Sequence, residues 1–103
     1  IKKSVMTGQV LKTEKKLPIK DVTITAYAAS KKEKVVFSDQ AGAYSFAELK
    51  PGTYRFVFEK SGYRKIVRDN VIIKLDEILQ MNIEMTEIKH FDLMPSPMHF
   101  TDF

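Results

Sequence analysis

Two turn signals, each followed by alternating aromatic residues, constrain the fold of this chain more than any other stretch. Asp39 and Gly42 fit positions i and i+3 of a type I turn, and the Pro-Gly pair at 51–52 fits the centre of a type II turn. Aromatic side chains then occur at every second position: Tyr44 and Phe46 after the first turn, and Tyr54, Phe56 and Phe58 after the second. Because successive side chains of a strand point to opposite faces, these aromatics are predicted to be buried, with Phe56 near the middle of the core.

The other apolar residues follow the same period of two in short segments separated by polar turns. The predicted strands are Val5–Leu11, Val22–Ala28, Lys34–Phe37, Tyr63–Val67, Val71–Leu75 and Leu79–Met85, and the predicted turns include Ser30–Glu33, Ser61-Gly62 and Asp76-Glu77. Val71, Ile73 and Leu75 are expected to face inward. Short strands with turns every ~8–12 residues are typical of a sandwich. We therefore predict an all-β fold, a seven-stranded Greek-key β-sandwich.

The segment that ends at residue 85 fits two kinds of secondary structure. Apolar residues at positions 75, 78, 79 and 83 have a helical spacing. However, the odd positions from 79 to 85 are all apolar, and their even neighbours are the polar residues Gln80, Asn82 and Glu84. This alternation favours a strand, with the helix as the alternative.

The length of 103 residues suits one domain, which at this size buries roughly two-thirds of its unfolded surface. We predict that the sandwich spans residues 1–85 and that residues 86–103 form an extended, irregular tail with two prolines and three phenylalanines. Because the tail is apolar and proline stiffens it, we expect it to dock on this sandwich or on a neighbour. Strand pairing is expected only before Met94, with side-chain docking by Phe100 and Phe103 beyond it. Disorder is the alternative.

The net charge of +4 comes from basic groups at positions 12–16, 31–34 and 60–68. An anionic partner is one interpretation, but these groups interrupt apolar strands and form no continuous stripe, which favours solvated turns and charged strand edges. We therefore predict no nucleic-acid partner. The absence of cysteine excludes disulfides and thiolate metal sites, and no apolar run approaches the ~18 residues of a membrane span. The first residue is Ile1, which fits a processed chain from which a signal peptide has been removed.

The sequence carries no recognisable catalytic motif. Gly-x-Ser-x-Gly, a phosphate loop, a dinucleotide fingerprint and His-Glu-x-x-His are all absent. His90 with Asp92, and His99 with Asp102, are potential metal ligands, although exposed tail residues are the favoured interpretation. We therefore predict no catalytic residues, no metal site and no cofactor, and we expect that the chain is not an enzyme.

A resemblance to a known family covers about residues 5–85. It is carried by Gly8-x-Val10, Leu17-Pro18-Ile19-x-x-Val22-x-Ile24, Ser38-Asp39-x-x-Gly42-x-Tyr44-x-Phe46-x-x-Leu49-x-Pro51-Gly52-x-Tyr54 and Gly62-Tyr63. In order and spacing these motifs resemble the carboxypeptidase regulatory-like domain. The resemblance implies a transthyretin-like (prealbumin-like) β-sandwich that serves as a non-catalytic accessory domain. It also implies a secreted or cell-envelope location, because the family is common in outer-membrane receptors and in surface proteins of gut bacteria of the Bacteroides type.

Three related groups differ from this sequence at their characteristic residues. Collagen-adhesin B-type domains form a Lys–Asn isopeptide bond with a catalytic Glu shortly after the Pro-Gly-x-Tyr motif, where this chain has Phe58, and Glu59 has the opposite strand parity. Hydroxyisourate hydrolases end in Tyr-Arg-Gly-Ser, whereas Tyr54-Arg55-Phe56 lies in mid-chain. Plug-preceding receptor domains have Gly-Thr-x-x-Gly where this chain has Lys34-Val35-Val36-Phe37. The sequence therefore resembles the general family more than any of these three groups.

Two functions of different classes stay open at this point. The preferred one is a module that presents its loops or an edge strand to a neighbouring domain or protein at the cell envelope. The alternative is carbohydrate binding, as in starch-binding domains with similar sandwiches, for which Tyr27 is the best stacking residue because its parity is opposite to that of Ile24 and Ala26. No other ligand-binding residue is assigned.

Overall fold

The structure of the protein is a computed structural model that describes residues 4–29 and 31–88. These residues form eight β-strands and no helix. The strands are β1 (Ser4–Lys12), β2 (Thr23–Ala28), β3 (Lys31–Phe37), β4 (Ala43–Leu49), β5 (Gly52–Glu59), β6 (Ile66–Ile73), β7 (Ile78–Gln80) and β8 (Ile83–Met85). Within these two ranges, no helix is long and apolar enough to cross a membrane.

The strands form two sheets. In the first sheet, β1 pairs with β4 in antiparallel fashion and with both β7 and β8 in parallel fashion. The second sheet has the order β3-β2-β5-β6 and is antiparallel at every pairing. The predicted all-β sandwich is confirmed, with eight strands rather than seven.

One core lies between the two sheets. Its largest fully buried side chains include Phe46 from β4 and both Phe56 and Phe58 from β5, so the predicted burial of Phe56 is confirmed. The rings of Phe46 and Phe56 lie 5.4 Å apart, and the ring of Tyr44 meets Phe58 edge-on at 5.6 Å. The alternating aromatics of the sequence therefore join the two sheets.

The predicted type I turn and the predicted type II turn have different outcomes. Gly42 donates its amide to the Asp39 carbonyl at 2.8 Å, as expected for positions i and i+3. In contrast, Gly52 begins β5 with a φ of 153°, far from the ~+80° of a type II turn, so that prediction is wrong. A positive φ also occurs earlier, at Glu48 (59°), in the bulge of β4.

The predicted turn at Ser61-Gly62 is confirmed and has the geometry expected for 51–52. Tyr63 donates its amide to the Lys60 carbonyl at 2.9 Å, and Gly62 has a φ of 87°. A side chain at position 62 would be strained at this φ, so glycine suits the turn.

Several predicted strand limits are wrong. β3 begins at Lys31, within the predicted turn Ser30–Glu33, and a bulge accommodates the extra residues. Parts of the predicted strands Tyr63–Val67 and Val71–Leu75 form a single strand, β6, because a bulge with Asn70 at a φ of 56° keeps both halves paired with β5. Leu75 does not face inward; it is 64% exposed in the turn after β6.

The strand interpretation of residues 79–85 is confirmed, but the strand is interrupted between β7 and β8. Val5 pairs with Ile78 and Val10 with Ile83, so both short strands keep one register against β1. A Cβ on Gly8 would overlap the carbonyl oxygen of Met81, which shows how closely the two backbones approach there. Beside it, the amide of Gln9 donates to the side-chain oxygen of Asn82 at 3.0 Å, in place of a ladder bond.

Backbone pairing continues beyond β8 to the last described residue. Arg64 donates its amide to the Thr86 carbonyl at 2.9 Å, and Ile88 donates its amide to the Gly62 carbonyl at 2.8 Å. This short pairing joins the end of the first sheet to the turn before β6 of the second. Residues 89–103, which carry the predicted docking residues Phe100 and Phe103, lie outside the described residues.

Candidate functional site

The candidate site is the outer face of the second sheet, defined by the side chains that point away from the core. Ile24 and Ala26 of β2 and Phe56 and Phe58 of β5 are buried in the core. The residues that alternate with them point outward. They are Thr23, Thr25 and Tyr27 on β2; Thr53, Arg55, Val57 and Glu59 on β5; Lys32, Val35 and Phe37 on β3; and Val67 and Ile72 on β6.

An almost wholly apolar row crosses the middle of this face. Thr25 pairs with Val35 on one side and with Val57 on the other, and Val57 pairs with Val67. We call Val35, Thr25, Val57 and Val67 the central row. Its inner members, Thr25 and Val57, are buried, while its ends, Val35 and Val67, are 39% and 37% exposed. Phe37 lies two residues from Val35 on the same face and is 62% exposed, which makes the apolar surface wider at β3.

Charged and polar groups flank the central row. On one side, Nε of Arg55 on β5 lies 2.5 Å from Oδ1 of Asp69 in the β6 bulge. Both side chains are more than half exposed, so solvent screens the pair and its contribution to stability is small, ~0–1 kcal/mol. On the other side, Glu59 pairs with Thr23, and Lys65 precedes β6. The face therefore has an apolar centre with both signs of charge at its rim.

Tyr27 lies beside the Arg55–Asp69 pair. It is half-buried and is the cross-strand neighbour of Arg55. Together with Val57, Val67 and Asn70 these residues line a shallow depression of about 520 Å³. The predicted position of Tyr27 on the strand surface is confirmed, and the structure places hydrogen-bonding groups next to its ring.

Tyr54, at the start of β5, contacts the same depression from the core side. Its hydroxyl donates to the Lys50 carbonyl at 2.8 Å. Burial raises the pKa of Tyr54, the negative charge of Glu33 raises it further, and the hydrogen bond to Lys50 lowers it. The phenol therefore stays protonated at neutral pH and acts as a hydrogen-bond donor.

The described residues contain no group of three His, Cys, Asp or Glu side chains that is arranged to hold a metal ion. Both histidines, His90 and His99, lie outside the ranges that the structure describes. The position that carries a catalytic Glu in isopeptide-forming domains is Phe58, fully buried against Tyr44, and Glu59 points to the outer face. The groups that the candidate site presents are an apolar surface, an aromatic ring and hydrogen-bonding side chains.

Sequence reasoning missed most of this face. Val36 packs against the core, so the same alternation that predicted strand 34–37 places Val35 and Phe37 outward. That signal was available in the sequence. The Arg55–Asp69 pair could not be predicted from the sequence, because it depends on the bulge that shifts the register between β5 and β6.

The profile of the carboxypeptidase regulatory-like domain family matches residues 5–86. The chain belongs to this family. The TonB-dependent transporter Oar of Myxococcus xanthus is 29% identical over 83 residues, a match that covers 80% of this chain and 8% of that protein. This carboxypeptidase regulatory-like chain therefore spans about 8% of the length of the curated relative that it matches.

Two solved structures show the same fold. A proposed carbohydrate-binding protein from Bacteroides uniformis has a TM-score of 0.70 at 11% identity, over 85% of this chain and 43% of that one. The 5-hydroxyisourate hydrolase of Klebsiella pneumoniae has a TM-score of 0.64 at 13% identity, over 82% of this chain and 85% of that one. At these identities the likeness concerns the fold alone. The transthyretin-like (prealbumin-like) architecture implied by the motifs is confirmed.

Proposed function

We propose that this chain is a non-catalytic accessory module of a larger bacterial protein, and that it docks a neighbouring domain or protein on the outer face of its second sheet. The central row carries this proposal. It extends across all four strands of that sheet and leaves Val35 and Val67 partly exposed, with Phe37 beside them. An apolar surface of this kind on a small domain is typical of an interaction site.

The arrangement of charge supports a protein partner rather than an anionic polymer. The rim carries Arg55, Lys65 and, opposite Tyr27, Lys32, but also Asp69 and Glu59, so both signs of charge are present. An apolar centre that excludes water, surrounded by a polar rim, is the usual anatomy of protein–protein interfaces. The partner surface expected here is apolar at its centre with charged groups of both signs at its edge.

The relatives support a location in the cell envelope or outside the cell. The matched region of the TonB-dependent transporter Oar is a small part of that protein, which fits a module that serves a larger neighbour. The rigid sandwich would then hold its outer face in a fixed orientation toward that neighbour.

Thiol labelling tests the docking proposal directly, because the chain has no native cysteine. Val67→Cys places one thiol at the exposed end of the central row. Ser45→Cys, on an exposed position of β4 in the first sheet, is the matched control. Each variant is labelled with a maleimide as purified chain and in intact cells that produce the protein with its natural neighbours.

We expect the thiol of Val67→Cys to react at least about tenfold more slowly in cells than in the purified chain, because a docked surface excludes the reagent. The thiol of the control variant should react at similar rates in both settings. Equal labelling of both variants in cells would contradict docking on this face.

Carbohydrate binding is the second candidate function, favoured by the position of Tyr27. Its ring lies beside a guanidinium, a carboxylate and an amide in one depression, and these are the groups that stack on a sugar ring and bond its hydroxyls. On a glycan array, binding that is lost in Tyr27→Ala and retained in Phe37→Ala would support this candidate. Binding that survives Tyr27→Ala would exclude Tyr27 as the sugar-stacking residue.

A further inference from the structure

The chain enters and leaves the first sheet at opposite ends of β1. Ser4 begins β1, next to the start of β7, where Val5 pairs with Ile78. The other end of β1 lies beside the end of β8, where Lys12 pairs with Met85. The first and last strands of the sandwich are thus direct neighbours, parallel and in one register.

Hydrogen bonds outside the ladder secure both ends of this contact. At the entry, the buried Ser4 hydroxyl donates to the Lys74 carbonyl, and the Val5 amide donates to the Glu77 carbonyl at 2.9 Å. At the exit, the Thr13 amide donates to the Met85 carbonyl at 3.0 Å. In the middle, where the ladder is interrupted, Asn82 accepts the Gln9 amide at 3.0 Å. The contact between β1 and β7–β8 therefore has no open gap along its length.

This geometry determines how the domain responds when its two ends are pulled apart. Force at the entry pulls β1 in one direction along its axis, and force at the exit pulls β8 in the opposite direction. Because the strands are parallel neighbours, the load acts along the strands and falls on all their shared bonds at once. In an antiparallel hairpin pulled from one end, the bonds would break one after another.

We propose that the first sheet is a tension clamp, so that the domain transmits pulling force between the segments on either side of it without unfolding. This function is separate from docking on the second sheet and does not depend on it. A module placed between an envelope anchor and a surface domain would need such resistance along its chain direction.

Single-molecule force spectroscopy tests the clamp in two pulling geometries on the same chain. In the first, handles are attached at the amino and carboxyl ends. In the second, the amino-terminal handle is kept and the other handle is attached through Lys50→Cys, the only cysteine in that variant. Leu49 pairs with Ser4, so this second geometry loads the antiparallel β1–β4 pair from one end.

We expect the end-to-end rupture force to be at least about twofold higher than the force in the second geometry at equal pulling speed, because unfolding under load is governed by the barrier along the pulled direction. Asn82→Ala removes one of the shared bonds at an exposed position and should lower only the end-to-end force. Chemical denaturation of Asn82→Ala verifies that the variant is folded. Equal forces in the two geometries, or an Asn82→Ala effect of the same size in both, would overturn the proposal.

Discussion

The two sheets share one core but differ on their outer faces. Across the middle of the first sheet, Thr7 pairs with Ser45 on one side and Gln80 on the other, so its central outward row is polar. At the corresponding place the second sheet has the central row, with three valines. Water satisfies this polar row, whereas the central row of the second sheet is apolar and partly exposed. The first sheet also exposes an apolar side chain, Ile78, but at the start of β7 and away from its middle. This difference between the two central rows is the reason why we propose docking on the second sheet and not on the first.

The largest expected effect is in the core that the two sheets share. Phe56→Ala should lower the free energy of unfolding by ~3–5 kcal/mol, because the ring is fully buried between both sheets and its loss leaves a cavity. Phe37→Ala, which removes a phenylalanine ring from the outer face instead of the core, is the matched control. It should change the free energy of unfolding by less than ~0.5 kcal/mol. Urea denaturation of both variants measures the contrast. A Phe56→Ala loss well under ~1 kcal/mol would show that the core is not where the structure places it.

A smaller effect is expected at residues 86–88, whose backbone hydrogen bonds join the two sheets. Truncation after Met85 removes the bonds of Thr86 and Ile88 to Arg64 and Gly62 and should cost ~1–3 kcal/mol relative to truncation after Ile88. Thermal unfolding of the two truncated chains measures the difference. Equal stability would mean that this joint contributes nothing.

Residues 89–103 can be tested with the same series. We propose that this segment docks by its apolar side chains, as its composition predicts. If it docks on its own sandwich, the full chain will be more stable than the chain that ends at Ile88. If the two are equally stable, docking on this sandwich is excluded, and amide exchange of the full chain should show no protection in this segment.

Alkaline pH should lower the free energy of unfolding through the buried tyrosines Tyr44 of β4 and Tyr54 of β5. Burial raises the pKa of Tyr44, whose hydroxyl donates to the Met81 carbonyl at 2.5 Å, and burial also raises that of Tyr54. The unfolded chain loses these protons near pH ~10 while the folded chain retains them, so stability is full below that pH and falls above it. The slope approaches ~1.4 kcal/mol per pH unit for each tyrosine that stays protonated.

Tyr44→Phe should reduce the fall of the unfolding free energy with pH more than Tyr54→Phe does. Tyr44 is the more deeply buried of the two, and its pKa is raised further. Urea denaturation between neutral pH and pH ~11 measures the slope in each variant. An unchanged slope in Tyr44→Phe would show that another group controls alkaline unfolding.

The sequence predicted those parts of the fold that depend on alternation alone. The inward aromatics of β4 and β5 and the strand character of residues 79–85 follow from a period of two, and both are confirmed. The turn at Asp39 follows from local turn chemistry and is also confirmed. The family motifs added the prealbumin-like architecture, which alternation cannot distinguish from other sandwiches.

The errors occur where bulges shift the alternation. A bulge at Glu48 interrupts the pairing of β4 shortly before Gly52, where a type II turn was predicted, and the bulge at Asn70 joins parts of two predicted strands into one strand, β6. Each bulge adds a residue to one strand only, so its position depends on the partner strand rather than on the local sequence. The Arg55–Asp69 pair at the candidate site could not be predicted for the same reason.

The central claim is that the exposed apolar side chains on the outer face of the second sheet contact a partner and do not stabilise the fold of this chain. The most direct test is the free energy of unfolding of the purified double variant Phe37→Ser, Val67→Ser, measured by urea denaturation. We predict a change of less than ~1 kcal/mol, because both side chains lie at the exposed margins of the apolar surface and fold without a cover. A loss of several kcal/mol would contradict the account, since these residues would then belong to the chain's own packing.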